Sequence, residues 1–405
     1  MEDSRTISTS TSSLTYIQTK HLIVLISFAL IALVAYLPTL KSQEFWRDDF
    51  VWLEVTRSAP NLLLAVPESD FAWRPTMAAY FAVLQFLFRE NPLPYHLVSL
   101  ATFSLTGFVL YRMLCRLLKD NSVVALLVSL LFLTRANLAQ PVLWPAAVGV
   151  VFAGFWGLIS IAAYIRFLEN DKPLLYLVSI IACLLALLSK EEAIILPIML
   201  FIAIWFSKRR VRIRTVVTML PYWILAVAAY QIRNLLVSAS DKLIVDELVR
   251  NPDKVMHAYL RGLLHSVIPF EPSLISLPHF AKHGWFLELR SGGSFSVIAV
   301  CTLLALVVGY FCIRGFDREK IGLFQQTLIW IGIISITLVP YILLGMSISG
   351  RYTYLPSLAA TFLIGVWLHH LAGRIRRLIL FPLLGLIIAV NFVQLYLLQL
   401  QIFSY

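Results

Sequence analysis

Charge is scarce in this chain. Only 14% of its 405 residues are Asp, Glu, Lys or Arg, against roughly a quarter in a soluble domain, which excludes one large water-soluble core. Acid is scarcer than base, with 22 Asp and Glu against 33 Lys and Arg. Cysteine is confined to Cys115, Cys183, Cys301 and Cys312, each in or beside an apolar run and without metal-ligand or redox spacing. Neither a disulfide framework nor a thiol site is read from them; they read as small buried hydrophobes. No convincing internal repeat is present.

Apolar sequence is what the chain has in abundance: 60% of residues are hydrophobic and the mean hydropathy is +0.82. These values describe an all-α polytopic membrane protein. The net charge of +11 is then no nucleic-acid footprint, and no nucleic-acid partner is expected. Lys and Arg mark cytoplasmic loops instead.

Residues 1–20 are Ser/Thr-rich and read as a disordered cytoplasmic tail. Glu2 and Asp3 argue against a cleavable signal, and the apolar run Leu22–Leu40 is long enough to cross a bilayer. Residues 21–405 read as one transmembrane domain. Spans are expected near 22–40, 95–118, 121–139, 142–167, 173–189, 192–207, 213–236, 294–314, 323–346, 353–372 and 378–400. That is a bundle of about eleven helices, each roughly 17–25 residues long. The stretch 76–88 is short for a crossing and is closed by Arg74-Pro75 and Arg89-Glu90, so it reads as an amphipathic helix on the outer surface.

Basic clusters follow the second span (Arg112, Arg116, Lys119), the sixth (Lys208 to Arg214), the eighth (Arg314, Arg318, Lys320) and the tenth (Arg374, Arg376, Arg377). If 76–88 does not cross, all four lie in the cytoplasm, together with the N-terminus. The first external loop (41–94), Gln140-Pro141, Lys190-Glu191-Glu192, the large external loop (237–293) and Gly350-Arg351-Tyr352 then share the opposite side. Chemistry at one membrane face is the expectation.

The first loop holds Asp48-Asp49 among Trp46, Phe50 and Trp52. Adjacent carboxylates in an apolar setting raise the pKa of one member, which suits it to take a proton from a hydroxyl. A helix-capping or solvated acid is the plainer alternative. Lys190 with Glu191 reads either as a solvated turn or as a phosphate-binding lysine oriented by an acid. Arg351, beside Tyr352, reads either as an interfacial arginine or as a phosphate ligand. Arg74 and His96 flank the surface helix, and each alone is a weak signal. His279 and His283 are four apart, but no third metal ligand is identifiable. These residues point to no cofactor, and nothing in them indicates a divalent metal.

The order of these motifs is an acidic pair after span one, Trp73-Arg74-Pro75, then Asn91-Pro92 through Tyr95-His96-Leu97. A Pro-containing turn, Leu188-Ser189-Lys190-Glu191 with Pro197, and Arg351-Tyr352-Thr353-Tyr354-Leu355-Pro356 follow. From about Leu22 onward the chain resembles the GT-C superfamily of membrane glycosyltransferases. Within it, the chain is most similar to the branch of tetratricopeptide-containing O-mannosyltransferases and bacterial relatives of the protein O-mannosyltransferases.

That resemblance implies inverting transfer of a sugar from a polyprenyl-phosphate donor to a glycan, lipid or protein acceptor, with membrane lipids around the enzyme. It implies Asp48 as general base with Asp49 second, Lys190, Arg351 and Arg74 at the donor phosphate, and Glu191, Tyr352 and His96 in support. A bacterial inner membrane with an external active site is the expected location. The chain departs from the pattern at Gln140-Pro141, where repeat-bearing relatives carry His-Pro. No tetratricopeptide repeats follow the last span, so acceptor presentation falls to the external loops or another protein. A transporter or flippase for lipid-linked sugars, or a non-catalytic assembly partner, is the alternative; a transporter should show interrupted helices.

Overall fold

The computed structural model describes residues 3–42, 44–46, 48–59, 61–67, 73–119, 121–206, 213–237, 252–268, 322–343, 350–374 and 377–403. Every regular element among them is helical. The helices are α1 (Asp3–Ala35), α2 (Leu37–Ser42), α3 (Asp48–Ser58), α4 (Pro75–Phe88), α5 (Pro92–Leu117), α6 (Ser122–Leu133), α7 (Ala139–Leu143) and α8 (Val148–Asn170). They continue as α9 (Pro173–Ser189), α10 (Leu196–Phe206), α11 (Ile213–Leu236), α12 (Pro252–Val267), α13 (Leu323–Leu343), α14 (Tyr354–Arg374) and α15 (Arg377–Phe403).

Six helices among the described residues are long and apolar enough to cross a membrane: Pro92–Leu117, Pro145–Asn170, Thr215–Leu236, Leu323–Ile342, Gly350–Ala372 and Ile379–Leu400. A seventh follows if α6 and the segment Ala136–Leu143, bent by 55°, form one span. The protein is a polytopic helical membrane protein. The expected spans at 22–40 and 173–189 overlap shorter apolar helices, Thr19–Ala35 and Pro173–Ser189. The expected span 294–314, the histidines at 279 and 283, and most of the 237–293 loop lie outside the described residues.

Three local readings differ from expectation. The Ser/Thr-rich start is helical from Asp3, because a helix already nucleated in the apolar run gains one hydrogen bond for each residue it adds. α4 has the expected bounds but not the expected polarity. Met77, Ala78, Phe81 and Leu84 are buried, whereas Val83, Phe86 and Leu87 are exposed, so both faces are apolar. Finally, the run 121–139 does not stay straight. α6 stops at Leu133, and two 3-10 turns, Ala136–Leu138 and Pro145–Ala147, bracket the short α7 before α8 begins. Pro141 and Pro145 remove backbone donors there, which favours short elements over a continuous helix.

One end of the bundle is drawn together at Gly149. A Cβ there would sit 2.7 Å from Met77 Sδ and 2.7 Å from the Ser189 carbonyl oxygen. Glycine therefore permits the start of α8 to press against α4 and the end of α9. Aromatic rings fill the space beside it: Trp52 stacks on Phe81 at 6.1 Å, and Tyr80 meets Phe152 edge-on at 5.4 Å.

Candidate functional site

The acidic pair opens α3, where carboxylates are favoured by the helix dipole. Its two members have different fates. Asp49 is fully buried. Its Oδ2 accepts the Trp46 N–H at 2.8 Å and its Oδ1 accepts the Ala146 N–H at 2.6 Å, tying α3 to the turn Pro145–Ala147. Asp48 is half-buried, and its carboxylate has no hydrogen-bond or ion-pair partner among the described residues. One acid anchors the loop; the other is open.

Burial pushes the Asp49 carboxyl up to about 7, opposed by its two backbone donors and assisted by Asp48. The unfolded chain releases that proton near pH 4 and the folded chain near 7. Between those values the folded state binds more protons, so Asp49 makes stability fall as pH rises. Thermal unfolding in detergent should therefore drop from pH 5 to pH 7.5, and Asp49→Asn should flatten that slope while lowering stability throughout. An unchanged slope in the variant would contradict the assignment.

A second group forms where α9 ends. Arg74, held extended by the proline that follows it, donates from Nε to Glu191 Oε2 at 3.0 Å and from a terminal nitrogen to Glu191 Oε1 at 2.8 Å. Lys190 Nζ lies 3.2 Å from Glu191 Oε1 and 3.3 Å from Glu192 Oε1. Lys190 and Glu192 are buried, which rules out the solvated-turn reading. Burial alone would raise Glu191, but Arg74 and Lys190 outweigh it and hold the carboxyl well below its usual range. Glu192 moves up instead, through burial and its acidic neighbour, although Lys190 opposes this. Two cations and two acids make this group nearly self-neutral.

Arg351 stands on the turn Gly350–Thr353. Gly350 has φ of +53°, and the Gln140 side-chain oxygen occupies the place of a Cβ. That same oxygen accepts the Arg351 N–H at 3.1 Å. The guanidinium lies 5.0 Å from the centroid of Trp144 and 5.0 Å from that of Tyr352, and donates to Tyr352 Oη at 3.0 Å. Among the described residues it has no carboxylate partner. Tyr352 packs edge-on against Tyr341 at 5.5 Å, and Tyr341 is within electrostatic reach of Glu192 and Glu191.

These contacts, with the packing of α13 on the Glu191–Ile195 turn, bring Asp49, Arg351, Lys190 and Arg74 to one end of the bundle. Asp49 holds Ala146, the neighbouring Trp144 carries Arg351, and Tyr352 with Tyr341 leads to Glu192, Lys190 and Arg74. His96 is buried in the first turns of α5, with its ring against the backbone of Glu44 and Leu143. It packs the start of α5.

Sequence reasoning missed Arg135. It is fully buried and donates to the carbonyl oxygens of His265 at 3.0 Å, Ser266 at 2.8 Å and Ile268 at 3.0 Å. Asn137 adds a bond to His265 O at 2.6 Å. Together they cap the C-terminus of α12, where carbonyls lack helical partners. The signal was a lone cation in an otherwise apolar run, 122–143. No group of three or more His, Cys, Asp or Glu suited to a metal occurs among the described residues.

No protein-family model matches the chain. No curated protein matches it either. Among solved structures it is similar to the archaeal oligosaccharyltransferase AglB from Archaeoglobus fulgidus, determined in complex with an inhibitory peptide and a dolichol-phosphate. The TM-score is 0.49 at 12% identity, over 96% of this chain and 56% of that one. This chain thus spans little more than half the length of that protein.

Proposed function

We propose that the protein is a membrane glycosyltransferase that moves a sugar from a polyprenyl-phosphate donor to an acceptor hydroxyl, with inversion, on the external face of a bacterial inner membrane. In this reading the N-terminus is cytoplasmic, the full bundle has about eleven crossings, and the fold is of the GT-C type. What supports the reading is that, among the described residues, the Asp48 carboxylate has no hydrogen-bond or ion-pair partner and the Arg351 guanidinium has no carboxylate partner. Asp49, the chain neighbour of Asp48, accepts from Ala146, and Arg351 lies over Trp144 two residues before it.

The chemistry divides accordingly. The acceptor oxygen attacks the anomeric carbon and gives its proton to Asp48. The bond between that carbon and the phosphate oxygen breaks, and the electron pair leaves on the phosphate. Arg351 faces the charge that develops there, where a fixed cation lowers the barrier. Tyr352 and the Trp144 face hold the guanidinium plane. Lys190 has less to offer the phosphate, because Glu191 and Glu192 already neutralise it. Arg74, committed to Glu191 by two bonds, orients Lys190 and makes no phosphate contact of its own.

One observation favours a carrier: the 55° bend between α6 and α7 is the kind of interruption expected of transporters. It lies beside the Arg351 turn at the bundle end, whereas transporter sites lie near the midplane, so the transferase reading is preferred.

Arg351→Ala should cut release of polyprenyl phosphate from a sugar-loaded donor by about a hundred- to a thousand-fold. Lys190→Ala should cost about tenfold or less, since one self-compensated contact is lost. The assay uses purified chain in detergent with lipid-linked sugars extracted from membranes. Unchanged release by Arg351→Ala would remove the phosphate site.

A further inference from the structure

A groove of 850 Å³ runs between α5, α8, α10, α13 and α14. Its walls are apolar over most of their length, from Ala153 and Gly154 on α8 to Leu196, Trp330 and Phe362 on the facing helices. Along α8 it extends from Ala153 to Glu169, which is about 24 Å of helix rise, most of a hydrocarbon core of about 30 Å. Its charged lining residues are all at one end: Arg112, Arg116, Arg166 and Glu169. That end is opposite the Asp48 and Arg351 assembly, which lies where α8 and α14 begin.

The charges there do not cancel. Arg116 pairs with Glu169 and is within electrostatic reach of Arg166. Arg112 and Lys20 are both within electrostatic reach of His21. Neither Arg112 nor Arg166 has an ion-pair partner among the described residues. A long apolar slot capped by two guanidinium groups without an ion-pair partner among the described residues matches a molecule with fatty chains and an anionic head.

We propose that this groove binds an anionic glycerophospholipid from the leaflet at the basic end, with its phosphate at Arg112 and Arg166 and its acyl chains along α8. Guanidinium groups bind phosphate through paired N–H donors, and basic pockets between membrane helices hold anionic heads in this way. The lipid site requires no transfer chemistry, and it leaves the opposite end of the bundle free.

The test is native mass spectrometry of the full chain, delipidated in detergent and then offered phosphatidylglycerol or phosphatidylcholine with the same acyl chains. Retention of phosphatidylglycerol over phosphatidylcholine is expected, falling on the order of thirty-fold in Arg112→Gln/Arg166→Gln as two phosphate contacts are lost. Ala162→Phe, which narrows the apolar slot without touching a charge, should also displace the lipid. Equal retention of the two lipids overturns the proposal, as does full retention by the double variant. If only the double variant loses the lipid, the head binds a surface patch and the groove assignment is wrong.

Discussion

Replacing Asp48 by asparagine is expected to lower sugar transfer by about a hundred- to ten-thousand-fold, the range for loss of a general base. The side chain keeps its size and its place at the first turn of α3 but can no longer take a proton. Asp49 still holds that turn, because its carboxylate alone accepts from Trp46 and Ala146. The variant should therefore unfold close to the wild-type temperature and still bind the lipid donor. Asp49→Asn should behave differently. An amide offers one acceptor oxygen where two backbone donors point, so one N–H is left buried and unpaired at a cost of about 1–3 kcal/mol. Lost turnover with retained stability for Asp48→Asn, and lost stability for Asp49→Asn, would separate the two acids. Full turnover by Asp48→Asn would end the base assignment.

Glu191→Ala is expected to be the most destabilising single change at the site. It deletes both acceptors of the Arg74 fork and one of the two carboxylates beside Lys190. Two cations are then left in a buried setting with Glu192 alone. Removing one partner of a buried pair costs about 3–5 kcal/mol. If that cost comes from the stranded charge, Arg74→Met/Glu191→Met should be milder than Glu191→Ala, since Lys190 and Glu192 still balance each other. Thermal unfolding in one detergent at one pH reads both variants. A cost below about 1 kcal/mol for Glu191→Ala would mean that the pair behaves as an exposed one.

The helical character and the membrane setting were legible because they are written in local composition. Apolar runs such as Val148–Asn170 need no partner to be recognised. The bend after Leu133 was not, because hydropathy is a running average and the 122–143 run stays apolar through it. Which member of the Asp pair is buried was not legible either. That depends on the Ala146 N–H, 97 residues away. The Arg74 fork closes over 117 residues, and Gln140 reaches Arg351 over 211. Side-chain type could nominate Arg74, Glu191 and Arg351, but only the fold shows that the first two satisfy each other and that the third has no carboxylate partner among the described residues. The α4 helix makes the same point in reverse: its length is readable, but its outward face is apolar rather than polar, with Phe86 and Leu87 exposed alongside Val83.

The transfer claim is tested most directly by mass spectrometry of membrane lipids from cells lacking this protein, complemented with wild type or with Asp48→Asn. One polyprenyl-phosphate sugar should accumulate in the deletion and with Asp48→Asn, and should fall with wild type. If Asp48→Asn clears that lipid as well as wild type does, or if no such lipid accumulates in the deletion, the protein is not the transferase proposed.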